Sequence, residues 1–184
     1  LTTHKMQLIT TFGLLMSGFM LLVSHLGEMD PSITPRMPVL NSPLLSIHVS
    51  IIMISYALFS LTFISAIAYF FTNRSKKASI IQINKQLTTL SQIFLYPAIT
   101  TLGLGIFIGA IWANISWGTY WGWDPKETWA LITFMIYAIP LHKASLQSLR
   151  SEKKYHIFMF IAFLSILMTY FGVNYILGGM HSYA

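Results

Sequence analysis

Tryptophan is confined to one short segment of this chain. All five tryptophans fall within eighteen positions, at Trp112, Trp117, Trp121, Trp123 and Trp129. An interfacial aromatic belt is the simplest explanation for tryptophan in an apolar chain, but a belt has aromatic residues at both membrane surfaces. Gly118 and Gly122 alternate with the rings, and glycine allows a backbone to approach a flat ligand closely. Because indole faces offer a broad apolar surface, the segment predicts a platform for a planar macrocycle.

The end of this segment has the residues of a helix start. Asp124 fits the N-cap position, Pro125 the first helical position and Glu127 the third, which predicts a capping box. Part of the role of the two carboxylates is therefore structural, and contact with a partner or with the propionates of a macrocycle is the alternative. Lys126 is a candidate partner for such a propionate.

Two of the six histidines flank the tryptophan segment. His48 lies just inside the start of the second long apolar block, and His181 lies in the C-terminal tail. An ionisable side chain beside a membrane span is a functional candidate, and neutral imidazole is the usual protein ligand of haem iron. Either histidine alone is more often an ordinary interfacial residue. Together with the tryptophans, the two predict a haem site with two histidine ligands.

The remaining histidines are less informative. His142 lies at the end of the fourth apolar block, on the opposite side of the predicted membrane. A ring that reaches to the interface and a ring that binds a ligand remain alternatives there. His4, His25 and His156 lie at block boundaries and have no predicted role.

The composition is that of an integral membrane protein. The 184 residues are 55% hydrophobic and only 9% charged, with a mean hydropathy of +0.65, whereas a soluble domain has about 25% charged residues. The net charge of +6 does not indicate nucleic-acid binding, because the basic residues lie in the links between apolar blocks. The absence of cysteine excludes a thiolate ligand or a cysteine nucleophile within this chain.

Five apolar blocks are long enough to cross a membrane as helices, which takes about 20 residues. They run over residues 6–26, 47–71, 93–113, 125–142 and 157–177. Nine of the eleven lysines and arginines fall on one side, which the positive-inside rule makes cytoplasmic. The prediction is an all-α, polytopic membrane helix bundle of about five transmembrane helices. Its N-terminus is cytoplasmic, and its C-terminus and the tryptophan-rich loop 114–129 are external.

These motifs resemble a known family. The run WGTYWGWDPKETWALIT at residues 117–133 is similar to the tryptophan-rich WWD signature of the CcsA/ResC type of cytochrome c synthase, which handles haem in system II cytochrome c biogenesis. The similarity extends from LLSIHVS at residues 44–50 to GMHSYA at residues 179–184. Residues 1–184 resemble the C-terminal membrane core of a fused CcsB–CcsA type synthase. Since the chain starts at Leu1, we expect a single membrane domain that is a fragment of a longer protein.

The resemblance implies roles for particular residues. His48 and His181 match the two external histidines that ligate haem iron, and His142 matches the intramembrane haem histidine of the family. The residues of the signature that are implied to contact haem are Trp117, Gly118, Trp121, Gly122, Trp123, Asp124 and Trp129. No side chain is implied to act as a catalytic nucleophile.

The resemblance also implies a substrate, partners and a location. The substrate is haem b, bound transiently and attached by thioether bonds to the Cys-x-x-Cys-His segment of an apocytochrome c. The implied partners are that apocytochrome, a CcsB/ResB-type membrane protein or fused N-terminal region, and a thiol reductant system, without nucleic acid. The implied location is the bacterial cytoplasmic membrane, or a thylakoid membrane in a plastid, with the tryptophan loop facing the periplasm or the cell exterior.

Other functions remain open. A b-type haem electron-transfer subunit holds haem between histidines inside its spans, often with two on one helix, whereas each predicted span here has at most one. A haem exporter without synthase activity fits the same residues, and a purely structural membrane subunit is the third alternative.

Overall fold

The computed structural model describes residues 42–74 and 77–177, together with helical positions 10, 13, 14, 17, 18 and 21. The chain consists of two compact units, Leu1–Met37 and Pro38–Ala184. Within the described ranges of the second unit the regular structure is helical and contains no strand. The predicted all-α class is therefore confirmed.

Four α-helices follow one another in the described part of the second unit. They are α1 (Pro43–Thr72), α2 (Ala78–Trp117), α3 (Pro125–Ala138) and α4 (Glu152–Leu167). Proline occupies the first position of α1 and α3, where its missing N–H breaks no helical bond. Short 3-10 turns cover Ile139–His142 and Gln147–Arg150, and α4 continues as a π-helix over Met168–Leu177.

Three of these elements are long and apolar enough to cross a membrane, namely α1, α2 and the continuous helix Glu152–Leu177. They contain the predicted spans 47–71, 93–113 and 157–177, which supports the membrane helix bundle. The fourth predicted span, 125–142, is a 14-residue helix that tightens into a 3-10 turn at Pro140, as expected where proline interrupts the helical hydrogen bonds. The first predicted span, 6–26, lies mostly outside the described residues, so the number of five stays a prediction.

Helix α2 is much longer than its predicted span. Its 40 residues correspond to about 60 Å at 1.5 Å per residue, roughly twice the thickness of a hydrocarbon core. The predicted link 72–92 is therefore mostly helix, because α2 already begins at Ala78. Hydropathy identifies only the apolar half of such a helix, and the polar half is held by side-chain bonds such as that of Thr72 to Asn84.

The core lies where α1, α2, α3 and α4 meet. Phe59 of α1 is fully buried and stacks on Tyr137 of α3, with ring centroids 3.9 Å apart. Ser55 of α1 donates a hydrogen bond to the carbonyl of Ala98 in α2 at 2.8 Å. Small residues and hydroxyls at helix contacts are typical of membrane bundles, because lipid provides no hydrophobic drive and close packing must hold the helices together.

The antiparallel helices give the bundle two distinct ends. The tryptophan end comprises the start of α1, the end of α2, residues 118–129 and the π-helix. The basic end comprises the end of α1, the start of α2 and residues 139–156. The fold thus brings His48 and the tryptophan loop to one end and His142 to the other.

Candidate functional site

The non-helical part of the tryptophan loop begins at Gly118, because α2 extends to Trp117 and α3 starts at Pro125. Gly118 has φ +80° and its N–H donates to the carbonyl of Asn114 at 2.9 Å, which ends α2. Glycine is favoured at this position because a Cβ is strained at positive φ. Gly118 therefore has a structural role in ending the helix, and its contact with a ligand stays a prediction.

The far side of the loop is held by the carboxylates that start α3. Asp124 accepts a hydrogen bond from the Lys126 N–H at 3.0 Å, and Glu127 accepts one from the Asp124 N–H at 3.2 Å. The predicted capping box is thus present. Glu127 also accepts a bond from the Gly122 N–H at 2.8 Å, so a single carboxylate oxygen binds the backbone on both sides of Trp123.

Trp123 adopts a backbone conformation that side chains rarely take. Its φ is +57°, the one positive value at a non-glycine residue in the described ranges. This region costs about 1–2 kcal/mol for an L-residue, and such strain persists only when surrounding bonds enforce it. The side chain is 71% exposed and meets Trp121 edge-on, with centroids 5.9 Å apart. The loop therefore holds the Trp123 side chain in an exposed position.

The remaining tryptophans divide between the core and the loop surface. Trp112 is only 2% exposed and packs edge-on against Trp117 at 4.8 Å, so it supports the loop from below. Trp117, Trp121 and Trp129 are half-buried. Contact of these three tryptophans and Trp123 with a planar ligand stays a prediction.

His48 is fixed against α2. Its Nδ1 lies 2.8 Å from the carbonyl oxygen of Gly105. Since a carbonyl only accepts, Nδ1 carries the proton, and in the neutral imidazole the lone pair is then on Nε2. A metal-binding histidine has the same arrangement, with one nitrogen held by a carbonyl and the other acting as ligand.

The second predicted iron ligand, His181, lies outside the described residues. The described chain ends at Leu177, at the tryptophan end. There the Lys126 ammonium donates to the amide oxygen of Asn174 at 2.8 Å, which links the start of α3 to the π-helix. The lysine therefore has a protein partner, and its contact with a propionate stays a prediction.

His142 is exposed in the 3-10 turn at the basic end, with Nδ1 3.2 Å from the carbonyl of Ala138. The structure does not bring it together with His48 or the tryptophans. Its predicted role as an intramembrane ligand consequently concerns a second site, at the other end of the bundle. In the described ranges, no cluster of three or more His, Asp or Glu side chains could hold a metal ion.

His156 is a buried residue for which the sequence predicted no role. It is 0% exposed, its ring stacks on Tyr69 at 4.3 Å, and its Nε2 lies 3.0 Å from the Thr88 hydroxyl. Its Nδ1 has no hydrogen-bond partner within the described part of the chain. The helical spacing of positions 156, 159 and 163 could have indicated that His156 is buried, because all three residues lie on the buried face of α4.

We predict that His156→Leu raises the free energy of unfolding by about 1 kcal/mol, because a buried unpaired nitrogen costs more than one hydrogen bond contributes. Thr88 keeps its own bond to the carbonyl of Asn84. Thermal unfolding in detergent measures the change. His142→Leu, an exposed control, should leave the midpoint unaltered. A large destabilisation by His156→Leu would contradict the prediction, because the stacking on Tyr69 and the bond to Thr88 would then outweigh the unpaired Nδ1.

Comparison with known proteins gives a consistent family. A family model described as “Cytochrome C assembly protein” matches residues 3–181. “Protein NrfI” of Wolinella succinogenes is 42% identical over 175 residues, which is 94% of this chain and 19% of that protein. “Cytochrome c biogenesis protein CcsA” of Chlamydomonas reinhardtii is 37% identical over 180 residues, which is 96% of this chain and 50% of the relative. The chain thus spans half or less of the length of these relatives.

Proposed function

The chain belongs to the cytochrome c assembly protein family, and we propose that it holds haem at the tryptophan end of the bundle for attachment to an apocytochrome c. Its relatives named for cytochrome c biogenesis support this role. The observation that carries the proposal is the position of His48. It lies at the same end as the displayed tryptophan rings, with Nδ1–H on the Gly105 carbonyl and the lone pair on Nε2.

In this proposal His48 and His181 supply the two axial ligands of haem iron. Two imidazoles and a dry aromatic surface limit access of oxygen to the iron and influence its redox state. Trp117, Trp121, Trp123 and Trp129 provide apolar contact with the macrocycle, and Trp123 is the most exposed of the four. Gly122 and Asp124 form the backbone of this surface, held by Glu127.

The attachment reaction needs positioning more than side-chain chemistry. The histidine of an incoming Cys-x-x-Cys-His segment replaces one axial ligand, and each cysteine thiol adds across a haem vinyl group. One carbon of the vinyl gains the sulfur and the other gains the hydrogen, so no external oxidant is required. Because the chain has no cysteine, its contribution is the relative placement of haem and peptide, which lowers a barrier by several kcal/mol.

The proposal assigns the two ends of the bundle to the two sides of the membrane. Haem b enters from the cytoplasmic side, where the basic residues lie, and passes His142 on its way outward. A CcsB/ResB-type partner or fused region supplies the other ligand at the inner position, and a thiol reductant system keeps the peptide cysteines reduced. The tryptophan end then faces the periplasm or the cell exterior, or the corresponding side of a thylakoid membrane.

A visible spectrum tests the outer site directly. The chain is purified with its partner region from haem-producing cells, and the reduced spectrum is compared with that of His48→Ala and of His181→Ala. We expect each substitution to remove most of the haem, and added imidazole to restore it, because imidazole occupies the vacant ligand position.

A histidine without a predicted role provides the control. His25→Ala should keep the haem content of the parent. Haem that is unchanged by both His48→Ala and His181→Ala would refute the outer site. Thioether formation on a reporter cytochrome distinguishes attachment from export, since an exporter delivers haem without forming the bond.

A further inference from the structure

We propose that Gly105 and Gly109 of α2 form a notch that seats the His48 imidazole and thereby orients it as an iron ligand. The two residues are called the glycine notch below. This inference rests on the proposed function, because it concerns how the outer ligand is positioned. It assigns a positioning role to two residues that the sequence did not single out.

Gly109 lies directly under the imidazole ring. A Cβ at this position would be 2.6 Å from Cε1, 2.8 Å from Nδ1 and 3.3 Å from Nε2 of His48. Real Cβ atoms essentially never approach a ring so closely, so any side chain at residue 109 displaces the imidazole. The ring therefore occupies space that exists only because residue 109 has no side chain.

Gly105 supplies the hydrogen bond that fixes the ring. Its carbonyl accepts from His48 Nδ1 at 2.8 Å, and in an α-helix the same carbonyl also accepts from the N–H of residue 109. A carbonyl oxygen has two lone pairs and can accept both bonds. His48 reaches the second lone pair only by lying against the backbone at Gly109, so the Gly105 carbonyl and the missing side chain of Gly109 act together.

Helices α1 and α2 pack with two successive turns in contact. His48 and Ile52 are one turn apart on α1, as Gly105 and Gly109 are on α2. A Cβ at Gly105 would lie 2.5 Å from Cδ1 of Ile52, so Ile52 packs on Gly105 while His48 packs on Gly109. Ile52 can turn its terminal methyl away, whereas the His48 ring is held by a hydrogen bond.

The notch influences the iron in two ways. It sets the plane of the imidazole and keeps Nε2 as the nitrogen with the lone pair. The carbonyl bond to Nδ1–H also increases the electron donation of Nε2, which stabilises oxidised iron and lowers its reduction potential. Small residues on α2 thus contribute to a ligand that belongs to α1.

The test is Gly109→Ala in the full chain with its partner region. We expect haem per protein to fall about tenfold, the usual minimum effect of losing such an outer-shell partner. Added imidazole should restore the haem, as in His48→Ala, because the rest of the site is intact. Any haem retained without imidazole should have a higher reduction potential than in the parent.

Two further glycine variants should lose less haem than Gly109→Ala. Gly103→Ala, also in α2, meets only the flexible ring of Phe134 at 3.2 Å and should keep the parent haem content and potential. Gly105→Ala should be intermediate, because it pushes on Ile52 and not on the imidazole. All three changes favour the helix by replacing glycine with alanine, so a lower helix propensity of α2 does not explain a loss of haem.

Each outcome has a defined meaning. If His48→Ala loses haem and Gly109→Ala behaves like Gly103→Ala, the notch is refuted and the outer site stands. If Gly109→Ala loses haem that imidazole does not restore, the glycine supports the fold and not the ligand, which also refutes the notch. If His48→Ala keeps its haem, the proposed outer site fails and the notch fails with it.

Discussion

Glu127→Ala is expected to disorder the tryptophan loop and to remove most of the haem from the purified protein. The carboxylate accepts hydrogen bonds from the backbone N–H groups of Gly122 and Asp124. Without them, the left-handed conformation of Trp123 is no longer enforced, and the capping box of α3 keeps only its Asp124 bond. We expect the loss of these two charge-assisted bonds to lower the free energy of unfolding by about 2 kcal/mol. Hydrogen exchange at the amides of residues 122 and 124 should accelerate.

The matched control is Glu152→Ala. Glu152 also lies in the first turn of a helix, where the N-cap Ser151 makes no side-chain cap bond, so its removal should leave haem content and exchange at residue 122 unchanged. Glu127→Gln keeps an acceptor oxygen but not the charge and should be intermediate. Full haem retention by Glu127→Ala would show that the displayed conformation of Trp123 is not needed for binding.

Phe59→Ala is expected to lower the free energy of unfolding by about 3 kcal/mol, because it removes a large buried ring and leaves a cavity. Phe59 is fully buried and stacks on Tyr137 at 3.9 Å, which joins α1 to α3. These helices carry His48 and the end of the tryptophan loop, so looser packing should also weaken haem retention. Unfolding in mixed detergent micelles, followed by circular dichroism, measures the stability.

Phe107→Ala controls for the loss of a phenylalanine as such. The Phe107 side chain is 73% exposed on the outer face of α2, where lipid or detergent replaces its contacts. Its removal should change stability by less than about 0.5 kcal/mol. Equal effects of the two substitutions would mean that Phe59 is not in the core that holds α1 against α3.

The start of α3 shows how far local sequence can predict structure. The capping box was predicted because Asp124 and Glu127 are three residues apart and bond to backbone within the same turn. The strained backbone of Trp123 was not predicted, since nothing in the residue type favours positive φ. It follows from the second bond of Glu127, to Gly122, which depends on how the whole loop closes.

The sequence by itself determined the all-α membrane class, the concentration of tryptophan in one segment and the family. These features depend on hydropathy, residue type and short spacing, all of which are read along the chain. Only the tertiary structure decided that His48 rests on Gly105 and Gly109, that α2 begins at Ala78, and that His156 is buried against Thr88. The two histidine contacts join residues far apart in sequence, so they exist only after the helices have packed in one register. Helix packing selects that register from the shapes of many side chains together, and no local pattern contains it.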